Sequence, residues 1–88
     1  MMTDIATLNK NIGPARDFWR LMLPTPAPEV RQFVIWLNDH TLDTLCYAIG
    51  QASKKCAHLN NAMTELHARR FVSTVCRRVT AEKQKKVA

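Results

Sequence analysis

Two Arg-Arg pairs, Arg69-Arg70 and Arg77-Arg78, stand eight positions apart in the C-terminal half of an 88-residue chain. On a helix eight residues advance about 12 Å and a little over two turns, so the second pair repeats the presentation of the first. Ser73 and Thr74 lie between them, and their hydroxyls can donate to phosphate oxygens. Lys83, Lys85 and Lys86 come after the second pair. Arginine carries a rigid, permanently charged fork suited to phosphate, whereas lysine offers a looser point charge. The order points to oriented phosphate contact along a helix, then diffuse attraction from the lysines beyond it. A solvated helix face also carries arginine readily, because arginine is a good helix former, so the pattern alone leaves both uses open.

The other reactive side chains form weaker patterns. Cys46, Cys56 and Cys76 are widely spaced, odd in number and without a CxxC pair, which argues against a disulfide framework and a zinc knuckle. Cys46 and Cys76 fall within apolar stripes, where cysteine is ordinarily a small core residue. Cys56, His58, His67 and Cys76 match no common zinc spacing, so neither metal nor other cofactor is expected. No base stands at an informative spacing from a nucleophile, and the carboxylates are scattered along the chain. There is no GxGxxG, phosphate-binding lysine loop or HExxH. The chain reads as non-enzymatic.

Charge is unevenly placed. Residues 1–44 carry a net charge of −1 and residues 45–88 a net charge of +7, together the chain's +6. Such asymmetry predicts an acidic partner for the second half. No apolar run reaches the ~18–20 residues that cross a bilayer, and Met1 to Lys10 lack the basic-then-apolar order of a signal peptide. These readings predict a cytoplasmic protein without a membrane partner.

The elements that would position these residues are helical. Only two glycines occur, and no segment alternates like a strand between tight turns. Residues 1–12 show no sustained period and are expected to be a flexible arm. Gly13-Pro14 reads as the start of a short helix over 14–23, because proline suits a first helical position. The run Pro24-Thr25-Pro26-Ala27-Pro28 stops it. A second helix is expected over 28–38, with Val30, Phe33, Val34 and Leu37 as its buried stripe and Glu29 in its first turn. Thr41 caps a third over 42–58, and Thr64 a fourth over 64–80. In the fourth, Ala68, Phe71, Val72, Val75, Cys76 and Val79 form the cleanest amphipathic stripe in the chain, with Arg70, Ser73 and Arg77 opposite it. The predicted fold is all-α: a four-helix bundle of three core helices and a short N-terminal one. Its helical domain covers 13–80, its basic tail 81–88, and its core Phe33, Leu37, Leu45, Ile49, Phe71, Val72 and Val75. So short a chain buries little surface, so a homodimer is also admitted. Ile35 and Trp36 fall off the second helix's stripe and Trp19 borders the first. These three are the candidate protein-interface anchors.

Trp36-Leu37 closes one helix, Ala48-Ile49 lies inside the next, and Phe71, Val75 and Val79 follow at four-residue spacing in the last. In these features residues 25–79 resemble the DnaD-like domain of bacterial and phage primosome and replisome-organiser proteins, with Phe71, Val75 and Val79 in the places of that family's final aromatic-aliphatic motif. The resemblance implies DNA binding through the last helix and basic tail, with contacts to other replication proteins.

Two functions compete. The first is a nucleic-acid-binding accessory protein in replication or regulation, of the kind phages and plasmids encode, with DNA favoured over RNA. Its phosphate-facing residues would be Arg69, Arg70, Ser73, Arg77, Arg78, Lys83, Lys85 and Lys86. The break over 58–63 is too long for a compact helix-turn-helix, so sequence-specific reading of the major groove is not expected. The second is a small docking or inhibitor module that binds a host protein through Trp19, Ile35 and Trp36 and a basic face.

Overall fold

The computed structural model describes residues 5–87, the last two by backbone alone. Four helices occur in order: α1 (Ile5–Met22), α2 (Val30–Asp39), α3 (Leu42–His58) and α4 (Glu65–Val87). No strand occurs among the described residues. The fold is a small all-α four-helix bundle. α1 packs on α2 and α3, while α4 packs chiefly on α3.

α1 starts well before the position that its proline suggested. It runs through Gly13-Pro14 and includes residues 5–12, where a flexible arm is expected from sequence. Leu8, Ile12, Ala15, Trp19 and Leu23 recur at i, i+4, i+7, i+11 and i+15, one continuous apolar stripe across the proline. Ala15 and Trp19 are fully buried, and Leu8 and Ile12 are half-buried against the same core. Pro14 faces solvent. An interior proline costs a helix about 3 kcal/mol; burial of the stripe on both sides offsets that cost. The first four residues of the expected arm lie outside the described residues.

The Pro-rich linker is fixed to α1. The Trp19 indole N–H donates to the Thr25 carbonyl oxygen at 3.2 Å, and Pro28 is fully buried. α2 therefore begins only at Val30, with Glu29 at its N-cap rather than inside its first turn. Its buried residues are Phe33, Trp36 and Leu37, whereas Val30 is exposed. Trp36 stacks on Trp19 at 5.9 Å, and Phe33 meets both rings edge-on at 5.4 and 6.3 Å. Trp19 (0% exposed) and Trp36 (3%) are thus core residues and not surface anchors. The reason is that α2 packs on both α1 and α3 and also reaches α4 through the Trp36–Ser73 bond, so its buried arc is wider than one stripe. Of the three expected anchors only Ile35 is open to solvent.

Local signals set the remaining boundaries. Thr41 Oγ1 accepts from the Thr44 N–H at 3.1 Å and starts α3. Leu45, Ala48, Ile49, Ala52 and Cys56 form the buried face of α3. α3 ends at two asparagines in left-handed backbone, Asn60 (φ 56°) and Asn61 (φ 61°), and the Asn61 N–H closes on the Cys56 carbonyl at 2.8 Å. Asparagine is the residue after glycine that tolerates this conformation best. Thr64 Oγ1 then accepts from the His67 N–H at 3.1 Å and starts α4.

Ala68, Val72, Val75 and Cys76 hold α4 to the core. Phe71 lies at the rim, half-buried, rather than within the core as its spacing predicts. α4 continues through positions 81–87, so the expected tail is the last turns of a helix. At 1.5 Å per residue it is about 34 Å long, close to the molecule's longest dimension of 38 Å. It therefore spans most of the molecule's length, and its helical period sets the order in which the side chains on its outer face follow one another.

Candidate nucleic-acid interface

The core stripe of α4 turns Arg70, Arg77 and Arg78 outward, all exposed, and leaves Arg69 half-buried on its flank. Arg70 and Arg77 are about 10.5 Å apart along the axis, two turns on one side of the helix. Between α2 and α4 runs an open cleft lined by Gln32, Leu66, Arg69, Arg70, Ser73, Thr74 and Arg77. It contains no carboxylate. Among the described residues, none of the four arginines forms an ion pair; Asp17 and Arg20 on α1 do so at 3.7 Å. Arg69 and Gln32 also border an adjoining cleft that carries Glu29 and Glu65, whereas at Arg70 and Arg77 the charged lining is cationic alone and attracts an outside anion.

Two hydrogen bonds tie this side of α4 to α2 and its C-cap residue, His40. Trp36 Nε1 donates to Ser73 Oγ at 2.9 Å, at the floor of the cleft. At the C-terminal end of α2, His40 Nδ1 and Thr80 Oγ1 of α4 lie 2.6 Å apart. Burial is the main influence lowering the pKa of His40 below its usual value; Arg77 lowers it further, while Asp39 opposes both. His40 is thus held toward its neutral form beside the basic face.

The structure brings Arg69, Arg70, Ser73 and Arg77 to one cleft, with Arg78 on the adjoining outer face. Lys83 does not join them. Its Nζ donates to Thr44 Oγ1 at 3.0 Å, on the side of α4 that faces the start of α3. There it lines a second cleft together with Asn38, Asp39, His40 and Thr41. Lys85 is exposed on the last turns of α4, and the Lys86 side chain lies outside the described residues. Sequence reasoning missed Gln32 and Leu66 as cleft residues. Neither carries a local signal, because only the approach of α2 to α4 makes them neighbours.

No family model matches the chain, nor does any curated protein or solved structure.

Two of the thiols, Cys46 and Cys76, are poorly placed for nucleophilic chemistry. Burial pushes the Cys76 thiol up to about 12, and burial, then Asp43, raises that of Cys46. A reactive cysteine needs the opposite shift. Among the described residues no group of three His, Cys, Asp or Glu side chains could hold a metal ion. No described helix is long and apolar enough to cross a membrane.

Proposed function

We propose that this chain is a non-enzymatic nucleic-acid-binding accessory protein, cytoplasmic and acting in replication or regulation, that lays α4 along a phosphate backbone. One observation carries the reading: Arg69, Arg70 and Arg77 share a cleft with Ser73 and Thr74, without a carboxylate or an ion pair among the described residues. Arg78 and Lys85 extend the same charge along α4. Contacts of this kind position a duplex without reading its sequence. DNA is the expected ligand, in keeping with the DnaD-like resemblance. The docking alternative retains Ile35 but loses Trp19 and Trp36, whose rings lie in the core.

Fluorescence anisotropy with short labelled DNA over a range of salt tests the proposal. Binding should weaken steeply with salt and vary little with sequence. Replacing Arg70 and Arg77 together by glutamine should lower the slope of log K against log salt by about 1.8, one phosphate contact each. The melting temperature should hardly move, because both side chains are exposed and form no ion pair among the described residues. Absence of binding by the wild type at low salt refutes the proposal.

A further inference from the structure

The Trp36–Ser73 bond does more than join two helices. A mid-helix serine commonly either turns to solvent or returns its proton to the carbonyl four residues earlier. Ser73 makes no such return: its oxygen accepts from Trp36 Nε1 at 2.9 Å, and its own proton has no acceptor among the described residues. The indole that holds it cannot turn aside, because Trp36 is 3% exposed and stacked on Trp19 with Phe33 against its face. The Ser73 oxygen is therefore held in place, with its proton left to donate elsewhere. It lines the cleft beside Arg69, Arg70, Thr74, Arg77 and Gln32.

The donor set selects the ligand. A carboxylate has two oxygens, and one guanidinium can occupy both. Three guanidiniums with two hydroxyls and an amide suit an anion with more oxygens at wider angles, which is a phosphate. Leu66 and Gln32 bound the same cleft, and no aromatic ring lines it. Nothing there stacks on a base, so the contact is to the phosphate itself.

We propose that the α2–α4 cleft is a discrete phosphate site, in which Ser73, positioned by Trp36, donates to a phosphate oxygen held by the neighbouring arginines. The inference rests on the nucleic-acid reading above and deepens it, since it makes one backbone phosphate of the bound nucleic acid differ from the rest. The same chemistry belongs to free inorganic phosphate, so both ligands enter the test.

Short labelled duplex DNA is titrated into the wild type, Ser73→Ala, Ser73→Thr, Trp36→Phe and Arg77→Gln over a range of salt. Tryptophan emission is followed in parallel during titration with unlabelled duplex or with inorganic phosphate at constant ionic strength. Ser73→Ala should weaken duplex binding roughly three- to tenfold at every salt concentration, the loss of one hydrogen bond to an anion in an open cleft. Its salt slope should stay that of the wild type, because a neutral donor releases no counterion; Arg77→Gln should lower the slope by about 0.9. Ser73→Thr, which keeps the hydroxyl, should restore affinity. Trp36→Phe keeps a ring in the stack but loses the N–H, so it should weaken binding about as much as Ser73→Ala, and the two together no further. Duplex should shift the emission of the wild type and not that of Ser73→Ala. Unchanged duplex affinity in Ser73→Ala overturns the site and leaves the nucleic-acid reading standing. An emission response to inorganic phosphate alone overturns the backbone assignment. A wild type that binds no duplex overturns both readings.

Discussion

Trp36→Ala tests the reassignment of this residue from surface anchor to core. The side chain is 3% exposed, stacks on Trp19 at 5.9 Å, meets Phe33 edge-on at 5.4 Å and donates to Ser73 at 2.9 Å. Truncation of a buried tryptophan costs about 3–5 kcal/mol. A domain of this length has a total stability of roughly 4–13 kcal/mol. At about 4–8 °C per kcal/mol, the melting temperature should fall by some 12–40 °C or the transition should vanish. Circular dichroism melts, with urea titrations at one temperature, measure the change. Ile35→Ala is the control: Ile35 is 50% exposed on the same helix, and its truncation should cost about 1 kcal/mol or less. A Trp36→Ala protein that melts within a few degrees of the wild type would refute the aromatic core. The docking reading predicts that outcome, because there the ring serves a partner and not the fold.

The remaining predictions concern single side chains. Phe71→Ala should cost about 2 kcal/mol, less than the ~3–5 of a fully buried ring, since Phe71 is half-buried; a chemical-denaturation midpoint reads it. The pKa of His40 lies below its usual 6.5, chiefly through burial, so the unfolded chain takes up the proton first as pH falls. The stability associated with neutral His40 is complete above about pH 6.5 and declines below it, and His40→Gln should flatten that decline in melts between neutral and mildly acid pH. In native protein at mildly alkaline pH a thiol reagent should spare Cys76, whose pKa is pushed up to about 12, and should reach it once denaturant is added. Rapid native labelling of Cys76 would contradict its burial.

Much of the fold was legible because helix signals are local. The stripe Ala68–Val72–Val75–Cys76 and the caps at Thr41 and Thr64 depend on residues within a few positions of one another, and the structure places them where their spacing predicts. The outward turn of Arg70 and Arg77 comes from the same periodicity. α1 shows the limit of local signals. Gly13-Pro14 is a local stop signal, yet Leu8, Ile12, Ala15 and Trp19 continue one stripe through it. Packing against α2 and α3 offsets a local cost that the chain read in isolation overestimates.

Meetings of side chains across helices obey no such local rule. Trp36 falls outside the stripe expected for α2, and Trp19 borders the one expected for a helix that starts at Pro14, so neither is placed in the core by those short stripes; in the folded molecule the two rings stack and are buried. Lys83 belongs to the basic set by composition, but α4 turns it toward Thr44 and away from the arginine cleft. Ser73 reads as one polar residue among several until Trp36, 37 positions earlier, is found donating to it. The all-α class, most helix boundaries and the arginine face can be read from the chain alone, because each rests on neighbours along it. The cleft, its fixed hydroxyl and the aromatic core emerge only in the folded molecule, because they are contacts between residues that the sequence keeps far apart.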